Sequence, residues 1–290
     1  MASHTDRPVV CFLEIDDLLV TATRDACRAA AAAFSALDRR NIAIVLCSGQ
    51  THGELAYITR ALGFWHPFIA EDGSAIGLPH AYFSRSIADA TRGFFWDVID
   101  YGRSHRAVGT IITSVTQRLQ IGVTRLSQVD AARAERDFGL ARPLATRALK
   151  RAYGEVLHVE DGSDASLDQL RAALSAERLR CTRRGRSLYV VPNYGGSRAV
   201  LRLRRLFVEH FADVQFVGLA TSGGSGLVPA VLDTCLDVNC ATLRSAAQLI
   251  ADVVDEVRLF GVSAVGPVTA GVATRYRDGR GAEGLRLHQH

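Results

Sequence analysis

The chain has 290 residues, 48% of them hydrophobic and 22% charged, enough for one large or two modest domains around a well-buried core; disorder, collagen-like repeats and low-complexity architecture are excluded. Thirty acidic residues nearly balance 34 basic ones, for a net charge of +4, which argues against a surface that binds nucleic acid non-specifically. Lys150 is the only lysine, so a Walker-type phosphate loop, which ends in glycine-lysine, is excluded, and a Schiff-base enzyme would have Lys150 alone to use.

Along the chain, residues 8–13 (PVVCFL) form a continuous apolar run rich in β-branched residues that stops at Glu14-Ile15-Asp16-Asp17. Such a run predicts a strand buried on both faces of a parallel sheet. A helix is expected over 24–39, a second buried strand over 42–47 ending in Ser48-Gly49-Gln50-Thr51, a helix over 53–62, and a short strand over 67–70 stopping at Glu71-Asp72-Gly73. This rhythm predicts βαβ units with right-handed crossovers. From about 82 to 189 the pattern changes to alternating or helically spaced apolar residues, with a turn-rich break at 160–163 and a hairpin-like pair around 183–186. The α/β rhythm resumes with a helix over 197–211, a strand over 214–219, a glycine-rich stretch over 221–226 and a helix over 246–257. The expected organisation is a core over 1–81 and 190–290, interrupted by an α+β cap over 82–189, with the tail after Arg275 a frayed end.

Six cysteines show no CxxC or paired zinc spacing and read as reduced packing residues. No apolar run reaches the roughly 18 residues of a membrane span, and the first residues lack a signal-peptide pattern. A cytoplasmic protein with neither a membrane nor a nucleic-acid partner is expected.

In open α/β sheets ligands bind beyond the carboxyl ends of the strands. Glu14 and Asp16, two apart on an extended chain, project to one side and could share a substrate or a cation; alternatively they cap the following turn. Ser48 and Thr51 offer hydroxyls beside backbone N–H groups entering a helix, an anion cradle or simply an N-cap. The glycine-rich stretch over 221–226 offers further backbone donors or a plain turn.

The order of apolar strand, acid-x-acid, helix, apolar strand, Ser-Gly-Gln-Thr, helix and cap resembles the haloacid dehalogenase superfamily. Within it the chain is most similar to the mannosyl-3-phosphoglycerate phosphatase branch, strongest over residues 41–76 (NIAIVLCSGQTHGELAYITRALGFWHPFIAEDGSAI). The resemblance implies a Rossmann-like core with a mostly parallel sheet and an inserted α+β cap of the C2 type. It also implies that Lys150, Arg151, Arg183 and Arg184 reach towards a sugar phosphate, and that Ser48, Gln50 and Thr51 line the phosphate site. The catalytic motifs depart from the family. Its Asp-x-Asp-Gly-Thr, whose first Asp attacks phosphorus and whose second is general acid and base, is here Glu14-Ile15-Asp16-Asp17-Leu18. Its Lys-Gly-x-Ala is Gly196-Ser197-Arg198-Ala199, and Arg198, two residues on, faces about 200° away around a helix. Its Gly-Asp-x-x-Asn-Asp falls on 218–226, which hold no carboxylate.

A glutamate reaches one methylene too far, and misplacing a reacting group by about 1 Å costs roughly 100-fold; losing a cation aimed at developing charge costs about 100- to 1000-fold. A magnesium site made only of Glu14 and Asp16 would be weak. The expectation is therefore a phosphatase homologue without phosphatase activity and without a resident cofactor, acting by binding a phosphorylated small molecule or protein partner, as a homo- or hetero-oligomer, or as a subunit of a biosynthetic assembly. The alternative is an active Mg-dependent phosphatase on a phosphorylated sugar or glycerate, using Glu14 and Asp16 with Arg198 supplying the charge.

Overall fold

A computed structural model of the chain describes residues 7–14, 16–20, 22–102, 104–184, 187–193, 196–211, 213–221, 228, 235–238, 240, 242–260, 274–277 and 283–286. The glycine-rich stretch over 222–227 and the turn residues Gly185 and Arg186 lie outside them. Strands β1 (Val9–Glu14) and β2 (Ile42–Cys47) are buried at every position. They form the middle of a parallel set with β3 (Phe68–Ala70) on one side and β11 (Gln215–Thr221) and β12 (Cys235–Val238) on the other. The in-register pairs Leu13 with Leu46 and Glu14 with Ala220 bring the carboxyl ends of β1, β2 and β11 together.

Helices cover both faces. Helix α2 (Arg24–Arg39) starts where the Thr23 side chain accepts from Ala26 N and buries Cys27, Ala30, Phe34 and Leu37 at helical spacing. With α3 (His52–Leu62) and α9 (Leu243–Phe260) it packs on one side of the sheet. Helix α8 (Gly196–His210) buries Ala199, Val200, Leu203, Leu206 and Phe207 on the other. Fully apolar strands are the consequence of this double covering. Between β1 and α2 lies one short helix, α1 (Asp16–Val20).

The sheet extends further than the sequence suggests. Strand β4 (Ala75–Pro79) runs antiparallel to β3, and β6 (Trp96–Asp100) with β5 (Thr91–Arg92) continues it, giving the order β14-β13-β12-β11-β1-β2-β3-β4-β6-β5. Strands β6 and β5 thus join the ten-stranded sheet although they follow residue 81. The alternation Trp96-Asp97-Val98-Ile99-Asp100 does mark a half-buried strand, but alternation does not say which sheet it joins. At the opposite edge β13 (Thr274–Arg277) and β14 (Glu283–Arg286) pair antiparallel; the rest of the tail expected to fray lies outside the described residues.

The cap contains α4 (His105–Leu119), β7 (Val123–Arg125), α5 (Ala131–Phe138), α6 (Arg142–Ala148), β8 (Glu155–Val159), α7 (Asp164–Ala176), β9 (Leu179–Arg184) and β10 (Ser187–Pro192). Its four strands form an antiparallel sheet in the order β7-β8-β10-β9. One face of this sheet packs on α4 and α7 through Leu157, Leu188 and Val190. The turn-rich break at 160–163 is the start of α7, where the Ser163 side chain accepts from Ser166 N. Among the described residues no helix is long and apolar enough to cross a membrane.

Candidate functional site

Asp16 opens α1 directly beyond β1 and is buried. Its Oδ1 accepts from Ser48 Oγ at 2.5 Å and from Gly49 N at 3.1 Å, which fixes it against the end of β2. Glu14, also buried, accepts from Val228 N at 3.4 Å through Oε2. Ser48 is not the cap of the following helix. That role belongs to Thr51, which forms a reciprocal capping box with Glu54: Glu54 N donates to Thr51 Oγ1, and Glu54 Oε2 accepts from Thr51 N and Oγ1. The ends of β2 and β3 are laced by Glu71 N donating to Gln50 O and Asp72 N to Ser48 O, both at 2.9 Å.

After β3 the chain turns through Glu71, Asp72 and Gly73 with φ of 45°, 53° and 94°. Two successive non-glycine residues in the left-handed region cost free energy that their surroundings must offset. The Glu71 carboxylate supplies that offset by accepting from the cap backbone N–H groups of Ala152, Tyr153 and Gly154 at 2.9, 3.1 and 2.7 Å.

Three cap arginines meet these acids. Arg151 donates to Gly49 O at 2.9 Å and lies 3.5 Å from Glu71, with its side chain buried. Arg180 donates to Asp72 O at 2.5 Å. Arg184 places one nitrogen, Nη2, 2.9 Å from both Asp16 Oδ2 and Asp72 Oδ1, while its guanidinium covers the Tyr189 ring at 4.4 Å. One cation shared between two buried carboxylates splits their behaviour. Burial, helped by the negative charge of Asp72, outweighs Arg184 and raises the Asp16 carboxyl above its ordinary range. For Asp72 burial pulls the same way, but Arg184, Arg180 and Arg151 together overcome it and hold that carboxyl low. Burial also raises Glu54 to about 7 and the Tyr189 hydroxyl to about 12.

The structure therefore brings together Asp16, Ser48, Thr51, Arg151 and Arg184 of the residues singled out in the sequence. The Gln50 side chain is buried beside them, and neither its amide nitrogen nor its oxygen has a hydrogen-bond partner. Lys150 is exposed. Arg183 points away and pairs with Asp164 at 2.7 Å. Arg198 is exposed on the outer side of α8, as its angular offset predicts. Glu54, Glu71, Asp72 and Arg180 carry site contacts although none of them is among the candidate site residues of the sequence. The acid pair before a glycine at the end of a buried strand is the available signal for Glu71 and Asp72.

The residues present do not fit a magnesium ion as arranged. Mg²⁺ requires six oxygen ligands at about 2.0–2.1 Å in near-ideal octahedral geometry. Here the outward oxygens of Asp16 and Asp72 are engaged by a guanidinium, and among the described residues no three His, Cys, Asp or Glu side chains converge as a metal group.

No family model matches the chain. Among curated proteins it is 25% identical over 213 residues to the glucosyl-3-phosphoglycerate/mannosyl-3-phosphoglycerate phosphatase of Methanococcoides burtonii, covering 73% of this chain and 78% of that protein. It is 24% identical over 225 residues to the enzyme of the same name from Persephonella marina, covering 74% and 78%. Of solved structures, a Thermoplasma acidophilum protein superposes with a TM-score of 0.52 at 10% identity, covering 84% of this chain and 97% of its own. A sugar phosphatase of haloacid dehalogenase subclass IIB superposes at 0.49 with 11% identity, over 87% and 99%. The chain is thus similar in sequence to two curated glucosyl-3-phosphoglycerate/mannosyl-3-phosphoglycerate phosphatases, and similar in fold to the Thermoplasma protein.

Proposed function

We propose that this chain binds a phosphorylated sugar or glycerate in the crevice between core and cap and does not hydrolyse it. The observation that carries the reading is the ion pair of Arg184 with Asp16. The acid at the position of proton transfer is bound to a cap cation, and the acid before it on β1 is a glutamate rather than an aspartate. The one lysine is exposed, so no buried lysine ammonium holds a reacting phosphoryl group.

Ligand binding is supported by the donors left over. Gln50 Nε2, Arg184 Nε and Nη1 and Arg151 Nε are buried with no hydrogen-bond partner in the protein. Buried polar groups are almost always satisfied, so these donors support a ligand that brings oxygen atoms, and the unpartnered Gln50 Oε1 beside them one that also brings a hydroxyl. The names of the curated relatives supply the class to test first.

In the test, purified protein is incubated with Mg²⁺ and either mannosyl-3-phosphoglycerate or glucosyl-3-phosphoglycerate. Phosphate release is expected to be no greater than for Asp16→Asn, while either ligand raises the melting temperature. Turnover that disappears in both Glu14→Gln and Asp16→Asn would overturn this reading. It would establish the second one, an Mg-dependent phosphatase using those acids, which the phosphatase names of the relatives favour.

A further inference from the structure

We propose that Arg184 is the resident cation of the crevice, holding by a guanidinium the place between Asp16 and Asp72 that a divalent ion could enter only if that side chain were removed. This deepens the binding-only reading of the same site, but it is read out by metal uptake rather than by turnover, so the two can fail separately.

The geometry is that of a built seat. The Arg184 side chain is only 7% exposed, and Asp16 and Asp72 flank its Nη2 at equal distances of 2.9 Å. Tyr189 lies under the guanidinium plane at 4.4 Å, a cation–π contact that strengthens when water is excluded. Gly49 abuts both groups: a Cβ there would lie 2.0 Å from Arg184 Nη1 and 2.9 Å from Tyr189 Cδ1. Any larger residue at 49 would push the guanidinium out of its seat. Acid, aromatic ring and glycine come from four separate segments and agree on one occupant.

Charge decides against a second cation. The seat holds two carboxylates and one guanidinium, and Arg180 at the Asp72 carbonyl and Arg151 at the Gly49 carbonyl add positive charge on either side. A divalent ion in the same space would face three guanidiniums, those of Arg151 and Arg184 buried, and would have to strip Arg184 from both acids. Like charges a few ångströms apart in a medium of low dielectric repel strongly, and the oxygen atoms that would have to offset this are already engaged by the arginines. Once Arg184 is gone the balance reverses: two buried carboxylates, a serine hydroxyl and backbone carbonyls are left with no cation between them.

Mn²⁺, whose electron paramagnetic resonance signal is lost on binding, is the probe, with the full chain as wild type, Arg184→Gln, Arg184→Lys and Arg184→Gln/Asp16→Asn. Wild type and Arg184→Lys are expected to leave the signal of free Mn²⁺ unchanged, Arg184→Gln to take up one equivalent, and the double variant none. Stoichiometric uptake by wild type that Asp16→Asn abolishes would overturn the proposal. So would a folded Arg184→Gln, judged by near-ultraviolet circular dichroism, that takes up no Mn²⁺. If Arg184→Gln is recovered unfolded, the proposal requires Mn²⁺ to restore its near-ultraviolet spectrum, and failure to do so overturns it equally.

Discussion

The ten-stranded sheet delivers carboxylates to the crevice, whereas the four-stranded sheet opposite delivers guanidiniums, and the difference follows from how each is covered. Strands β1 and β2 have helices on both faces, so apolar residues fill them to the last position and chemistry is confined to their carboxyl ends: Glu14, Asp16 and Ser48, with Asp72 beyond β3. The cap sheet rests on α4 and α7 with one face, and part of its other face, on β9, turns to the core. There the side chains alternate, and the polar half of the alternation reaches across. On β9, Cys181 packs towards the cap helices while Arg180 and Arg184, at the other parity, contact Asp72 and Asp16. Neither sheet makes the site by itself. The opposition of charge joins them.

Removing the shared cation should break that opposition most severely. Arg184→Gln leaves two buried acids with one positive partner fewer, and deleting one member of a buried ion pair typically costs about 3–5 kcal/mol. Urea denaturation at pH 7 in the absence of metal should show a loss of that size, and a smaller one for Arg184→Lys, which retains a charge but not the fork. A variant that unfolds at the wild-type urea concentration would mean that apolar contact, not charge, seats the cap.

Glu54 sharpens the comparison from the core side, because it is a buried acid with no guanidinium bound directly to it. Burial, which outweighs its hydrogen bonds to Thr51 and the pull of Arg151, raises it to about 7 from an ordinary value of 4.5. The folded protein therefore binds this proton more tightly than the unfolded chain does. Its contribution is complete below pH 4.5 and is lost as pH rises to about 7. Each tenfold difference in proton affinity between the two states is worth about 1.4 kcal/mol, so the loss approaches about 3 kcal/mol. Glu54→Gln does not titrate, so its stability relative to wild type should climb between pH 5 and 8, measured by denaturation across that range. A difference independent of pH would show that Glu54 is already ionised in the fold.

How much of this the sequence discloses depends on the range of each signal. The unbroken apolar runs identify β1 and β2 and so locate Asp16 and Ser48, because burial on both faces is a local property of composition. Alternation at 96–100 identifies a strand but not its sheet, since the partner Ala75–Pro79 is chosen by pairing far along the chain. The arginines show the same limit. Family resemblance points to Arg183 and Arg184 together, and only the parity of the pleat, fixed once Cys181 faces the cap helices, separates the inward Arg184 from the outward Arg183. Arg198 is the opposite case: its 200° offset from the family lysine position is legible on the helix alone, and the residue is exposed.

The smallest effect is expected where the same two residue types meet in water. Arg118, at the end of α4, lies 3.7 Å from Glu177 at the end of α7, with side chains 57% and 43% exposed. Both ends of this pair keep most of their hydration, solvent screens the attraction, and holding two long side chains together costs rotamer entropy. Arg118→Ala should therefore change the unfolding free energy by no more than about 0.5 kcal/mol, with no dependence on added salt beyond that of wild type. Arg184 and Arg118 both lie on the cap and both face carboxylates, so burial is the principal difference between them. If urea denaturation showed Arg118→Ala to be as costly as Arg184→Gln, the number of ion pairs rather than their desolvation would set the stability of the cap, and the crevice would lose its claim to be special.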